Sequence, residues 1–309
     1  MRSKKRKPIT IEIMGGLGNQ LFAYIAGAYV AHKSQSPLRV FHRPKKRGET
    51  IHASSINSLA LGINLVSQLS VWESTFLFIR RQIRRIAIAI GIQREKAERL
   101  SQVHNSDSIG LDKNLSVTNS GYYLSGYFQC YEYFDYLKKN NILPPLAVHD
   151  PSDWYLSEMK LLKSGNPIAV HIRRGDYLLN QNSFIGALSV DYYRNAISLI
   201  LERLAGAQSK VPIWVFSDDP ALVKDEFSEH LDHSFRFVDP PKNSDPAESM
   251  FLMSMARAIV ISNSTFSWWA AVLGDPDLVV APSKWFRDYE DPEGLIPEDW
   301  IKVSSEWRS

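Results

Sequence analysis

Apolar positions near the amino terminus alternate. Ile9-Thr10-Ile11-Glu12-Ile13-Met14 puts isoleucine at every second residue and predicts a strand. Gly15, Gly16 and Gly18 interrupt the pattern, which resumes with helical spacing from about Asn19 to Lys33. Leu38 to His42 reads as a second strand, so the chain opens as a βαβ unit. Residues 72–100 read as one long helix. In it Trp72, Phe76, Ile79, Ile83, Ile86 and Ile90 recur at steps of three and four, while Arg80, Arg81, Arg84 and Arg85 fall off that stripe. The favoured reading is a stripe packed on the core beneath a solvated arginine face. A basic amphipathic helix lying on a membrane is the alternative.

Pro144, Pro145 and Pro151 mark a domain boundary within 141–153, separating residues 1–150 from 151–309. Beyond it strands are predicted at 168–172, 213–216, 235–238, 258–261 and 278–281. Helices are predicted at 191–204, 221–229, 246–257 and 265–273. Alternation of strand and helix implies a parallel sheet covered on both faces, hence an α/β protein.

Composition narrows the function classes. The 309 residues carry a net charge of only +3, too little for a dedicated nucleic-acid binder, so no nucleic-acid partner is expected. The single cysteine, Cys130, excludes an intrachain disulfide and a thiolate zinc site. No apolar run reaches the roughly 18 residues of a membrane span, and Ile9 to Met14 is too short for a signal-peptide core. A cytoplasmic protein is expected. The basic run Arg2, Lys4, Lys5, Arg6 and Lys7 reads as a solvated terminus, or as a weak attraction to anionic lipid, as at the inner membrane, or to nucleic acid.

Four motifs carry candidate chemistry. Gly15-Gly16-Leu17-Gly18-Asn19-Gln20 joins a strand to a helix, where glycines allow close backbone approach and the helix N-terminus favours an anion. Its spacing is neither the dinucleotide fingerprint nor a Walker loop, and a tight turn with Asn19 as helix cap is the plainer reading. His171-Ile172-Arg173-Arg174-Gly175-Asp176-Tyr177 ends a strand, where open α/β sheets bind ligands. Arginine suits a diphosphate because its fork is planar, permanently charged and bidentate. Successive residues of an extended chain point opposite ways, so one arginine is expected on phosphate and the other paired with Asp176. Ser217-Asp218-Asp219 closes another strand and offers a carboxylate to ribose or guanine, or a cap from Ser217 or Asp218. Ser262-Asn263-Ser264-Thr265 precedes a helix and could cradle an anion, with Trp268 and Trp269 read as core. Asp218 and Asp219 are adjacent, so their side chains diverge and form no separated pair that would hold a nucleotide-sugar metal. No metal is expected.

Together these motifs resemble the α-1,2-fucosyltransferase family, glycosyltransferase family 11, in its bacterial form without a membrane anchor. Its Gly-Gly-Leu-Gly-Asn-Gln, His-x-Arg-Arg-x-Asp-Tyr, Ser-Asp-Asp and Ser-Asn-Ser-Thr-Phe-Ser-Trp-Trp elements stand here in order at 15–20, 171–177, 217–219 and 262–269. The resemblance implies a GT-B fold, two Rossmann-like domains facing across a cleft, with acceptor binding mainly in 1–150 and donor binding in 151–309. It implies GDP-β-L-fucose as donor, no cofactor, and inversion at the anomeric carbon. The implied acceptor is a terminal galactose, on a lipopolysaccharide (O-antigen) repeat or a milk-type oligosaccharide.

By the same resemblance Arg173 binds the β-phosphate and His171 positions the nucleotide. Asp218 or Asp219 contacts guanine or ribose, and Ser264 and Thr265 hold phosphate oxygens within the Ser262–Thr265 element. Asn19, with Gly16 and Gly18, approaches the reaction centre, and Arg174 with Asp176 and Tyr177 braces the loop. The catalytic base stays open among His32, Glu12, Asp176 and the departing GDP oxygen. Residues 43–120 match no motif. Two rival readings remain: a fucosyltransferase of another linkage such as α-1,6, and a nucleotide- or polyanion-binding module without turnover.

Overall fold

The computed structural model describes residues 6–42, 55–59, 65–66, 69–115, 121–179, 184–204, 211–228 and 235–308. Arg2, Lys4 and Lys5 of the basic run, and Glu229 of a predicted helix, lie outside the described residues. The chain divides into two compact units. One is Met1–Asn57 with Leu61–Pro145 and Pro292–Leu295. The other is Leu146–Asp291 with Ser58–Ala60 and Ile296–Ser309.

The first unit runs β1 (Ile9–Ile13), α1 (Leu17–Lys33), β2 (Leu38–His42), β3 (Leu65–Val66), α2 (Val71–Ala89), α3 (Arg94–Ser101), β4 (Val103–Asn105), β5 (Tyr123–Ser125) and α4 (Tyr131–Lys139). Its sheet has the order β3-β2-β1-β5-β4, every pair parallel. β1 lies at the centre with Ile9, Ile11 and Ile13 fully buried, as alternation of β-branched residues predicts. α1 packs so closely on it that a Cβ at Gly27 would stand 2.8 Å from a methyl of Ile11.

The predicted helix over 72–100 is two helices. α2 starts on a capping box between Ser70 and Glu73 and ends at Ala89, and Gly91 turns the chain with φ +85° before α3. The packing of α2 reverses the favoured expectation. Its apolar stripe faces solvent, with Trp72 85% and Ile90 70% exposed, and only Leu77 and Ala87 of the helix are buried. Three of the arginines turn inward instead, while Arg85 stays exposed. Arg81 pairs with Glu12 at 2.9 Å, Arg84 with Glu98 at 3.3 Å, and Arg80 donates to Gln102 at 2.6 Å. Beneath α2 lie an apolar patch of Phe41, Val103 and Tyr123, which takes Leu77, and the carboxylates of Glu12 and Glu98, which take arginines, so the basic face is the one that docks. Hydrophobic period defines two faces of a helix but not which of them is inside.

The second unit runs α5 (Asp153–Gly165), β6 (Ile168–Ile172), α6 (Val190–Leu204), β7 (Ile213–Ser217), α7 (Pro220–Ser228), β8 (Phe235–Phe237), α8 (Pro246–Ser254), β9 (Ala258–Val260), α9 (Thr265–Leu273), β10 (Leu278–Pro282) and β11 (Ile301–Val303). Its parallel sheet has the order β11-β10-β9-β6-β7-β8. Numbered within the unit, that is the Rossmann order 3-2-1-4-5-6. All five residues of β6 are buried, as expected of a central strand covered on both faces. The order reverses between β6 and β9. Chains leaving those two strands diverge, and a crevice opens beyond their carboxyl ends.

Candidate functional site

The reversal point of the second sheet brings two sequence motifs together. His171 is the penultimate residue of β6 and Ser262 follows β9. The imidazole Nδ1 and the Ser262 hydroxyl are 2.8 Å apart, both side chains buried. Burial, and then the charge of Arg173, push the His171 pKa down to about 3, so the ring is neutral at physiological pH. Asn263 is also buried, and its amide donates to the carbonyls of Gly186 at 2.9 Å and Trp285 at 3.1 Å. The Tyr177 hydroxyl donates to the Asn263 carbonyl at 3.0 Å. The side chains of Ser262 and Asn263 thus lock the loop after β9 to its neighbours. Ser264 caps α9, accepting from the Phe266 N–H at 3.3 Å, and Thr265 opens that helix, half-buried. Trp268 and Trp269 are wholly in the core.

Arg173 and Arg174 part company just past β6. Arg173 keeps 23% exposure, with Nη2 at 2.6 Å from Asp176 and Nη1 at 3.2 Å from Asp218. Its guanidinium carbon stands 5.3 Å from the centre of the Tyr177 ring. Arg174 is fully buried. Its Nε donates to Glu226 at 2.7 Å, and Nη1 donates to the carbonyls of Arg173 at 3.1 Å and Leu188 at 3.0 Å. The expected Arg174–Asp176 pair is therefore corrected. Opposite orientation of adjacent residues sends Arg174 inward to α7 and leaves Asp176 to Arg173. Glu226, which also meets Arg308 at 2.9 Å, carried no signal in the sequence because it stands 52 residues away from its partner.

The two adjacent aspartates divide their tasks. Asp218 accepts the Arg174 backbone N–H at 2.8 Å with one oxygen and faces Arg173 with the other. A Cβ at Gly175 would lie 2.2 Å from that second oxygen, which explains glycine at this position. Asp219 accepts the Leu222 N–H at 3.1 Å in the first turn of α7. The cap expected from Ser217 or Asp218 thus comes from Asp219, while Ser217 accepts the Asp219 N–H at 3.0 Å.

In the first unit Gly15 has φ +74°, a conformation that favours glycine. Gly16 caps α1 without a side chain, no acidic residue stands in the first turn, and Gly18 is buried within that turn. Asn19 is therefore inside the helix and not its cap. Its Oδ1 accepts from Gln129 Nε2 at 3.0 Å. Gln129 follows β5, the neighbour of β1, and only that pairing brings it to Asn19. Gln20 braces the glycine turn by donating to the Gly15 carbonyl at 2.8 Å and accepting the Ile56 N–H at 3.2 Å.

Of the three base candidates, Glu12 is 1% exposed and held by Arg81. His32 sits in the last turn of α1, roughly 20 Å along the axis from Asn19. Asp176 is bonded to Arg173.

Comparison with known proteins accords with this arrangement. The model of the family described as glycosyl transferase family 11 matches residues 76–303. The O-antigen biosynthesis glycosyltransferase WbnK of Escherichia coli is 28% identical over 94% of this chain and 99% of its own length. An α-1,2-colitosyltransferase of Escherichia coli is also 28% identical, over 96% of this chain and 98% of its own. A galactoside 2-α-L-fucosyltransferase of Caenorhabditis elegans is 26% identical over 55% of this chain and 46% of its own. The chain belongs to glycosyl transferase family 11, and the motifs set around the reversal point of its second sheet are those by which the sequence resembles that family.

Proposed function

We propose that this chain moves L-fucose from GDP-β-L-fucose to the 2-hydroxyl of a terminal galactose, with inversion and without a metal. The observation that carries the reading is Arg173. It is a permanent cation at the switch point of a Rossmann-ordered sheet, aimed by Asp176 and Asp218 and partly open to solvent. A departing diphosphate is the ligand chemistry such a group serves best.

In this reading residues 151–309 bind the donor. Arg173 meets the β-phosphate, Ser264 and Thr265 at the α9 N-terminus meet phosphate oxygens, and Asp218 or Asp219 meets ribose or guanine. The neutral His171 supports the nucleotide through the Ser262 contact and donates no proton. Residues 1–150 bind mainly the acceptor, with Asn19 acting on the reacting sugar. The acceptor hydroxyl attacks the anomeric carbon opposite GDP as the bond to the GDP oxygen breaks. Its proton passes to a base or to that oxygen, and Arg173 neutralises the charge that develops.

A second reading keeps the site and changes the sugar. The full-length likeness to an α-1,2-colitosyltransferase favours a colitosyl donor. The test is GDP release with EDTA present, from GDP-fucose and from a colitosyl nucleotide, with lactose, lacto-N-biose and N-acetyllactosamine as acceptors. Arg173→Ala is expected to lose at least about a hundredfold in rate. Turnover only with the colitosyl donor selects the second reading, and product linkage analysis decides between the α-1,2 and α-1,6 types. Failure of both donors to bind refutes both donor assignments.

A further inference from the structure

Among the described residues, the outer face of α2 gathers most of the large exposed apolar side chains of the first unit, and the proposed reaction leaves it unused. Trp72, Phe76, Ile79, Ile83, Ile86 and Ile90 form a solvent-facing stripe along five turns, widened by Val71 and Phe78. Scattered exposed apolar residues are ordinary, but a contiguous patch well beyond a few hundred Å² marks an interaction surface. The helix is not misplaced. Four polar contacts from the opposite face and its N-terminal turn hold it: Arg81 to Glu12, Arg84 to Glu98, Arg80 to Gln102, and Glu73 to Arg39. A helix anchored by its charges with its apolar side outward is built to bury that side against something else.

Charge decides what that something is. Helical geometry puts arginine on both rims of the stripe. Arg80 borders it on one side, with its guanidinium carbon 4.5 Å from the centre of the Phe76 ring while it donates to Gln102, and the exposed Arg85 lies on the other. The one acid of α2, Glu73, is bonded to Arg39 and to Ser70. Two copies of this chain packed stripe to stripe would oppose arginine to arginine at either rim. A bilayer with anionic headgroups complements both parts, taking apolar side chains to the acyl boundary and the exposed Arg85 at the phosphate level. Trp72 in the first turn suits the same interfacial depth. Among the described residues no helix is long and apolar enough to cross a membrane, so contact through α2 is with the surface.

We infer that α2 docks this protein, face down, on an anionic lipid surface. The inference stands on the first unit alone and is independent of donor and acceptor identity.

The test is flotation of the full chain with phosphatidylcholine vesicles containing about a quarter phosphatidylglycerol, and with pure phosphatidylcholine vesicles. The chain is expected to float with the anionic vesicles, more weakly at high salt, and poorly with neutral ones. The triple variant Trp72→Ala, Ile79→Ser, Ile86→Ser is expected to lose about tenfold or more in vesicle affinity. Its far-UV spectrum should be unchanged because all three side chains are exposed. Arg85→Glu is expected to weaken anionic binding severalfold while leaving the fold and GDP release in solution intact. The inference is overturned by absence from the anionic vesicles, by equal flotation with neutral ones, or by a triple variant that binds like the parent. A concentration-dependent dimer that the triple variant dissolves would show that a second copy covers the stripe instead.

Discussion

Glu226 offers a sharp test of how the site is held. Its carboxylate is 2.7 Å from Nε of Arg174, a guanidinium with no solvent exposure. Glu226→Ala leaves that charge with two carbonyl acceptors, Arg173 and Leu188, and a buried Nη2 that has no hydrogen-bond partner. Breaking a buried ion pair from one side costs about 3–5 kcal/mol. Glu226 keeps 15% side-chain exposure and also serves the more exposed Arg308, so the lower end, about 3 kcal/mol, is expected. Removing both charges should cost far less, so Arg174→Met with Glu226→Leu is expected within about 1 kcal/mol of the parent. Seven of the eight tryptophans lie in the second unit, so tryptophan fluorescence during denaturant unfolding reports mainly on that unit. GDP release should also fall in Glu226→Ala, because Arg174 Nη1 holds the carbonyl of Arg173 and so aims its side chain. A single variant within about 0.5 kcal/mol of the parent, or a double variant no better than the single, would refute the reasoning.

A buried histidine in each unit should contribute to its pH dependence in the opposite direction. In the first, His104 is buried between Glu98 at 2.7 Å and Asp112 at 2.8 Å; burial opposes its charge, but these bonds prevail and hold its pKa at about 9. That raised pKa contributes stability fully present below pH 6.5 and lost as pH rises through 9, on the order of 3 kcal/mol. In the second, the lowered pKa of His171 contributes stability present above pH 6.5 and lost as pH falls toward 3. Amide exchange of β1 and β5 against tryptophan fluorescence separates the two trends above about pH 5, where the carboxylates of Glu73, Glu98 and Asp112 in the first unit, their pKa values lowered, stay ionised in both states, and parallel trends in that range would contradict them. Gly175→Ala drives a methyl against Asp218 without backbone strain, so GDP affinity by calorimetry should fall about tenfold while the fold survives. Unchanged affinity would show that Asp218 does not organise the Arg173 loop.

Much of this molecule could be read from its residues in line. β1, β6 and α9 follow from unbroken local patterns, and α9 and β6 begin and end where periodicity and flanking residues place them. The four motifs are contiguous, so local sequence alone identifies them. β4, β5 and β11, of three residues each, went unread because their pairing partners, not their own pattern, make them strands.

Only the tertiary structure decided which groups meet. His171 reaches Ser262 across 91 residues and Asn19 reaches Gln129 across 110, in each case because parallel strands distant in sequence lie side by side. The destination of Arg174 was decided by a carboxylate on α7, and the orientation of α2 by carboxylates beneath it. The sequence determined that α2 has an apolar face and a basic face, that arginines stand at a strand end, and that glycines start the first helix. Which face docks, and which arginine remains open at the crevice, depends on charges brought near by folding, and no local pattern records those neighbours.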